Sequence, residues 1–143
     1  MTAKAYLEQL QRLDIMIDQK IRERDDLKSK VGSISAVDYS KLQTGAASRE
    51  APFEKITDHL CDLEREINDE IDYFVDKKHE IIKQIQCLDI PTHIDFLFKR
   101  YVEFKKYEQI ALEMGRAREY MSELNSRALK TFENFHKNLL NLV

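Results

Sequence analysis

The side chains best suited to chemistry lie between residues 99 and 130, and their chemistry is hydrogen bonding to another macromolecule. In "YEQIALEMGRAREYMSELNSRALKTF", residues 107–132, Met121, Leu124, Ala128 and Phe132 recur at i, i+3, i+7 and i+11. That spacing turns one stripe of a helix inward. It leaves Arg118, Glu119, Ser122, Glu123, Asn125 and Ser126 outward. An outward arginine can pair bidentately with guanine, and the other polar side chains can meet base edges. Around them stand Lys99, Arg100, Lys105, Lys106, Arg116, Arg127 and Lys130, cations of the kind that reach phosphate oxygens.

Such a face needs two short helices packed at a steep angle, with a small residue at the crossing and a turn that accepts positive φ. Ala111 and Gly115 fill those slots, with Ile110 and Met114 as the apolar contacts of the first helix. The second helix, the candidate recognition helix, is expected over about residues 117–130. Ala117 stands where a Ser or Thr would cap it, an omission that costs about 1 kcal/mol. Arg116 and Arg118 put cations beside the positive end of the helix dipole. A bound phosphate relieves both faults. Glu123 works the other way, since a carboxylate accepts from cytosine but repels phosphate. The plain alternative is a three-helix packing unit with a charged, solvated face.

The elements upstream read as long helices. Tyr6, Leu10, Leu13, Ile17, Leu27 and Val31 follow one 3-4 alternation, with Lys20 and Arg24 in its middle slots and Ile21 beside them. Gly32 and Ser33 are expected to end this helix. Phe53, Ile56, Leu60, Leu63, Ile67, Phe74, Ile81, Ile85 and Leu88 repeat the alternation, broken at Glu70 and Lys78. Pro52 suits the first turn of that second helix. Rods of about 45 and 54 Å joined by a loop over 32–52 predict an antiparallel, coiled-coil-like hairpin over residues 1–88. The loop is long for a helix connection; Ile34, Val37, Tyr39 and Leu42 predict that it is partly ordered. Pro91 breaks the second rod at Ile90. Thr92 is expected to cap a further helix, with Asp95 completing a capping box and Ile94, Leu97, Tyr101 and Phe104 on its inner face. A module over 92–143 comes next, with a helical tail in which Phe135, Leu139 and Leu142 continue the stripe from Phe132 and need another surface to cover them, a second copy or the hairpin. The fold class is therefore all-α.

Composition bounds the function. The chain has 143 residues, three Gly, two Pro and no Trp, which suits solvated helices better than sheets. It carries 23 basic and 26 acidic side chains, of which residues 93–143 hold nine and seven, a local net charge of +2. That balance permits nucleic-acid binding without arguing for it. Cys61 and Cys87 match no metal or redox spacing and read as small apolar fillers in a reducing cytosol. No leader and no run of about 18 apolar residues appears, so no membrane is expected. Asp62, Glu66 and Asp69 share a helix face, which reads as a solvated coiled-coil surface. The four histidines form no ligand pair and no nucleophile has a local signature. The expectation is a binding protein, not an enzyme, without catalytic residues, metal or cofactor.

The stretch "KRYVEFKKYEQIALEMGRAREYMSELNSRALKTF" resembles the sigma region-four type of helix-turn-helix, a promoter-reading module of bacterial sigma factors. The matching elements are "RY" at 100–101, "EQIA" at 108–111, Gly115 and "RALK" at 127–130. The segment from Asp38 to Ile85 resembles an uncharacterised phage protein family of Gram-positive bacteria, allied to ArpU and RinA-type late-transcription regulators. The resemblance implies a phage regulator of late genes, working in the cytoplasm of the bacterial host cell. Its recognition helix would enter the major groove of double-stranded DNA. The sigma Arg-Glu pair that reads bases maps onto Arg118 and Glu119. A base-reading Gln maps onto Glu123 and a basic backbone contact onto Ser122, so this chain departs from the pattern at both. The alternative is a coiled-coil adaptor that contacts RNA polymerase, or another phage or host protein, without reading sequence. Either form is expected to be a homodimer, through the hairpin or the tail.

Overall fold

In the computed structural model, which describes residues 1–37 and 46–141, helix follows helix and no strand occurs among the described residues. The elements are α1 (Ala3–Leu7), α2 (Gln9–Val37), α3 (Ala46–Gln86), α4 (Pro91–Leu97), α5 (Tyr107–Met114) and α6 (Met121–Phe135). A π-helical turn, Phe98–Val102, extends α4, and a 3-10 turn, Arg118–Tyr120, precedes α6. The fold is all-α. Among the described residues no helix is long and apolar enough to cross a membrane.

Three sequence expectations about helix ends are corrected. Gly32 does not stop α2, which runs on to Val37. A helix-ending glycine works by turning left-handed, and among the described glycines only Gly115 has positive φ. Pro52 is not in a first turn, because α3 begins at Ala46 and places it seventh. Ala46, Ala47 and Ala51 are strong helix formers and extend the helix ahead of it, although an interior proline forfeits one backbone bond. Thr92 is not a cap. Ile90 is the extended N-cap residue (φ −106°, ψ 106°), with no side-chain cap bond, and Pro91 takes the first helical position, where its missing N–H costs nothing. Residues 38–45, including Tyr39 and Leu42 of the predicted loop, lie outside the described residues.

The chain divides into two compact units: Met1–Asp14 with Phe74–Val143, and Ile15–Tyr73. In the second unit Ile17, Leu63 and Ile67 are buried. The polar residues that interrupt the two seams meet there: Lys20 Nζ lies 2.5 Å from Glu70 and 3.5 Å from Glu66. Lys28–Glu64 at 3.3 Å and His59–Glu23 at 3.5 Å also cross between α2 and α3.

The first unit carries a continuous apolar core. Leu7 and Leu10, Ile81 and Ile85, Phe96 and Leu97, Ile110, and all four stripe residues of α6 are wholly inaccessible to solvent. Thr2 Oγ1 caps α1 by accepting from the Ala5 N–H at 3.1 Å. Tyr6 donates to Gln84 Oε1 at 2.6 Å, and His136 Nε2–H donates to the Gln84 carbonyl at 2.8 Å. The tail expectation is corrected here. His136 leaves the helical region (φ −115°, ψ 40°), which shifts the phase of everything after it. Leu140 is therefore the buried tail residue, while Phe135 and Leu139 are 55% and 38% exposed; Leu142 lies outside the described residues. Neither cysteine is a filler, since Cys61 and Cys87 are both exposed thiols.

Candidate nucleic-acid interface

The turn between α5 and α6 is built as its residue types require. Gly115 adopts φ 64°, ψ 37°, a left-handed conformation that only glycine takes without cost. The Arg116 N–H reaches back to the Ala111 carbonyl at 2.9 Å and the Gly115 N–H to Leu112 at 3.4 Å, closing the Schellman arrangement of a helix C-terminus. Ile110 and Ala111 are buried at the crossing. Beyond the turn, Ala117 is extended (φ −71°, ψ 142°) and stands as N-cap of the 3-10 turn with no side-chain bond. The predicted recognition helix thus begins as a 3-10 turn and becomes α-helical at Met121.

The turn before α5 uses the same geometry without a glycine. Phe104 has φ 59°, and the Lys105 N–H bridges over it to the Lys99 carbonyl at 3.0 Å. Left-handed backbone costs about 1–2 kcal/mol for a residue with a side chain. The Phe104 ring packs against the core, which offsets that cost.

The six outward residues do not share one environment. Arg118, Glu119, Ser122, Glu123 and Ser126 are exposed, whereas Asn125 is half-buried. The Tyr101 hydroxyl donates to Asn125 Oδ1 at 2.6 Å. Burial pushes the Tyr101 hydroxyl up to about 12, so it remains a proton donor at neutral pH. Arg118 lies 3.4 Å from Glu108, and Arg127 donates to Glu123 at 2.6 Å, one turn back on the same helix.

The cations expected at phosphates divide into two groups. Lys99 and Lys105 are tied into a partly shielded acidic network. Lys99 lies 3.0 Å from Asp95 and 3.6 Å from Glu113. Lys105 lies 2.8 Å from Glu113 and 3.3 Å from Glu103. Glu113 also accepts from Gln109 at 2.9 Å. The lysine bond, with the Gln109 bond behind it, holds the Glu113 carboxyl below the usual carboxylate range. Arg100 donates to the Lys105 carbonyl at 3.0 Å and stacks over Tyr107, 4.3 Å from the ring centre. In the other group Arg116, beside the Tyr120 ring at 5.9 Å, is exposed. Lys106 and Lys130 are exposed too. Among the described residues these three make no ion pair.

Two features of this region escaped sequence reasoning. Glu113 had no reason to stand out, because its lysine partners lie 8 and 14 residues away. Tyr101 read only as an inward-facing residue. A third link, His93 Nδ1–H to Thr131 Oγ1 at 2.8 Å, joins α4 to α6; the Thr131 hydroxyl spends its own proton on the Arg127 carbonyl at 3.1 Å. Among the described residues no group of His, Cys, Asp or Glu is arranged to hold a metal ion. Asp62 and Glu66 pair with Arg65 and Lys20. Comparison with protein-family models, curated proteins and solved structures finds no match to this chain.

Proposed function

We propose that the protein is a sequence-reading DNA-binding regulator, with α6 and its 3-10 lead-in lying in the major groove. The observation that carries this reading is the division of one helix into two faces. Met121, Leu124, Ala128 and Phe132 are wholly buried, while Arg118, Glu119, Ser122, Glu123 and Ser126 are exposed behind a left-handed glycine turn. A rigid inward face fixes the register of the outward one, which base reading demands. Arg118 is the main base contact; its single exposed pairing with Glu108 is weak enough for a guanine edge to displace. By the sequence resemblance the regulator would be a phage protein acting on late genes in the bacterial host. A second copy, meeting the first through the long helices or the exposed Phe135 and Leu139 of the tail, would supply the second half-site.

The phosphate contacts are Arg116, Lys106 and Lys130, because the remaining predicted cations already have partners. This makes a sharp expectation for salt dependence. Neutralising three phosphates gives a slope of log affinity against log salt of about −3, and engaging all seven gives about −6. Fluorescence anisotropy of a mixed-sequence duplex across a salt series measures that slope.

A second reading, a protein-interaction adaptor, is favoured by two observations. The neutralisation of Lys99, Lys105 and Arg127 by Glu113, Asp95 and Glu123 lowers attraction to DNA. Leu112 on α5 is 77% exposed, an apolar side chain offered to solvent at the surface. RNA polymerase, or another phage or host protein, is the kind of partner this reading requires. Pull-down from host lysate with wild type and Leu112→Lys separates them: the adaptor reading requires a retained partner lost in the variant while DNA binding is absent in both.

A further inference from the structure

Asn125 was expected to meet bases on the strength of its place in α6, but the structure gives it a fixed polarity. Its carbonyl oxygen is held by the Tyr101 hydroxyl at 2.6 Å. A heavy-atom separation that short suits O–H···O and is too close for an amide N–H donor, so the oxygen, not the nitrogen, faces the tyrosine. Tyr101 is itself buried, 6% exposed, in the π-helical turn after α4, so its hydroxyl is not free to follow the amide. The two N–H groups of Asn125 make no hydrogen bond among the described residues. Turning the amide end for end would exchange this short O–H···O bond for a longer N–H···O bond in which the hydroxyl accepts, so the packed tyrosine favours the oxygen-inward orientation.

We infer that Tyr101 is a positioning residue that locks Asn125 with its amide N–H groups presented to DNA, so that this position selects a base edge offering an acceptor. This rests on the DNA-reading proposal above. Guanine offers N7 and O6 in the major groove and thymine offers O4. Adenine is usually read by an asparagine that donates to N7 and accepts from N6, a two-way pairing that draws on the oxygen held here. The position facing Asn125 should therefore prefer guanine, which offers two acceptors, over adenine, which offers only N7. The lock also lowers the conformational cost of binding, because one rotatable side chain is ordered in advance.

The test is selection from randomised duplex DNA with the full chain, run in parallel on wild type, Asn125→Ala, Asn125→Asp and Tyr101→Phe. Thermal melts of each show that the variants fold. Asn125→Ala identifies the position read by this residue, as the one base preference that it blurs. Asn125→Asp keeps an acceptor for Tyr101 but has no N–H to offer, so it should lose the same preference. In Tyr101→Phe the amide is free to turn, and discrimination against adenine at that position should fall from about fivefold or more to under twofold. The rest of the enriched motif should be unchanged, which a merely structural role for Tyr101 would not produce. An adenine preference in wild type, an unchanged Tyr101→Phe profile, or an Asn125→Ala profile with no position blurred each overturns the inference while leaving the DNA-reading proposal standing. Failure of wild type to enrich any motif overturns both.

Discussion

The two units differ in what fills their interiors. In the unit made of Met1–Asp14 and Phe74–Val143, buried side chains from α1, α3, α4, α5 and α6 form one apolar cluster. In the unit Ile15–Tyr73, the buried set among the described residues is Ile17, Leu63 and Ile67. Its seam also holds a charged pair, Lys20 and Glu70, whose side chains are 27% and 25% exposed. The first interior fixes side chains in one arrangement, as dense packing does. The second buries less apolar surface among the described residues, and its partly exposed ion pairs add little stability of their own. A reading surface needs the first kind of support, which is why α6 and its neighbours are the place to look for recognition.

The largest break in that comparison comes from the first core. Phe132→Ala removes a wholly buried ring and should cost about 3–5 kcal/mol by denaturant unfolding. The same truncation of the half-buried Leu27 in the second unit should cost about 1 kcal/mol or less. Equal losses at the two sites would show that the units do not differ as described.

Next comes the charged pair. Lys20→Met leaves Glu70 with one oxygen that already lacks a partner, Oε2, and now without its cation. The cost should be well below that of breaking a fully buried pair, because both side chains touch solvent. Adding Glu70→Leu should recover most of it. Hydrogen exchange of α2 and α3 amides locates the effect, and a double variant no more stable than the single one would break the account.

Gly115→Ala should rank third at about 1 kcal/mol, entirely through strain at positive φ. No atom lies within 4 Å of an added Cβ there, so crowding cannot contribute. If melting temperatures of Gly115→Ala and wild type agree, the left-handed turn is not what joins α5 to α6.

The smallest effect is a dependence on pH. Burial, and then the nearby charge of Arg127, lowers the His93 imidazole from its ordinary 6.5. The folded state therefore binds a proton less readily than the unfolded chain. Stability is fully present above the unfolded value and declines as pH falls below about 6.5 towards the folded value. His93→Gln should flatten that decline by under about 1 kcal/mol after solvent screening, read as the difference in melting temperature between pH 7.5 and pH 5.5.

Much of the fold was legible because helical periodicity is a local signal. Met121, Leu124, Ala128 and Phe132 announce their buried face in their spacing, and Gly115 sits just where the period pauses. Gly32 carries the same local signal but stays within α2, since whether a glycine turns left-handed depends on the tertiary path of the chain beyond it. Phe135 and Leu139 kept the period in sequence, but the backbone left the helix at His136 and Leu140 took the buried place instead. Lys20 and Glu70 were visible as two interruptions in two seams. That they answer each other depends on the register between α2 and α3, which neither helix contains alone. The candidate interface was legible only as a set of polar side chains. Which cations are spent on Glu113 and Asp95, and that Asn125 is held by Tyr101, are facts of tertiary geometry.

The central claim is that the exposed face of α6 reads DNA sequence through Arg118. Its most direct test is selection from randomised duplexes by the full chain, repeated on Arg118→Ala. The account predicts an enriched motif in wild type and one position relaxed in the variant, at a cost of about 1–3 kcal/mol in affinity. An identical motif from both proteins, or none from wild type, would contradict it and leave the surface of α5 and α6 to a protein partner.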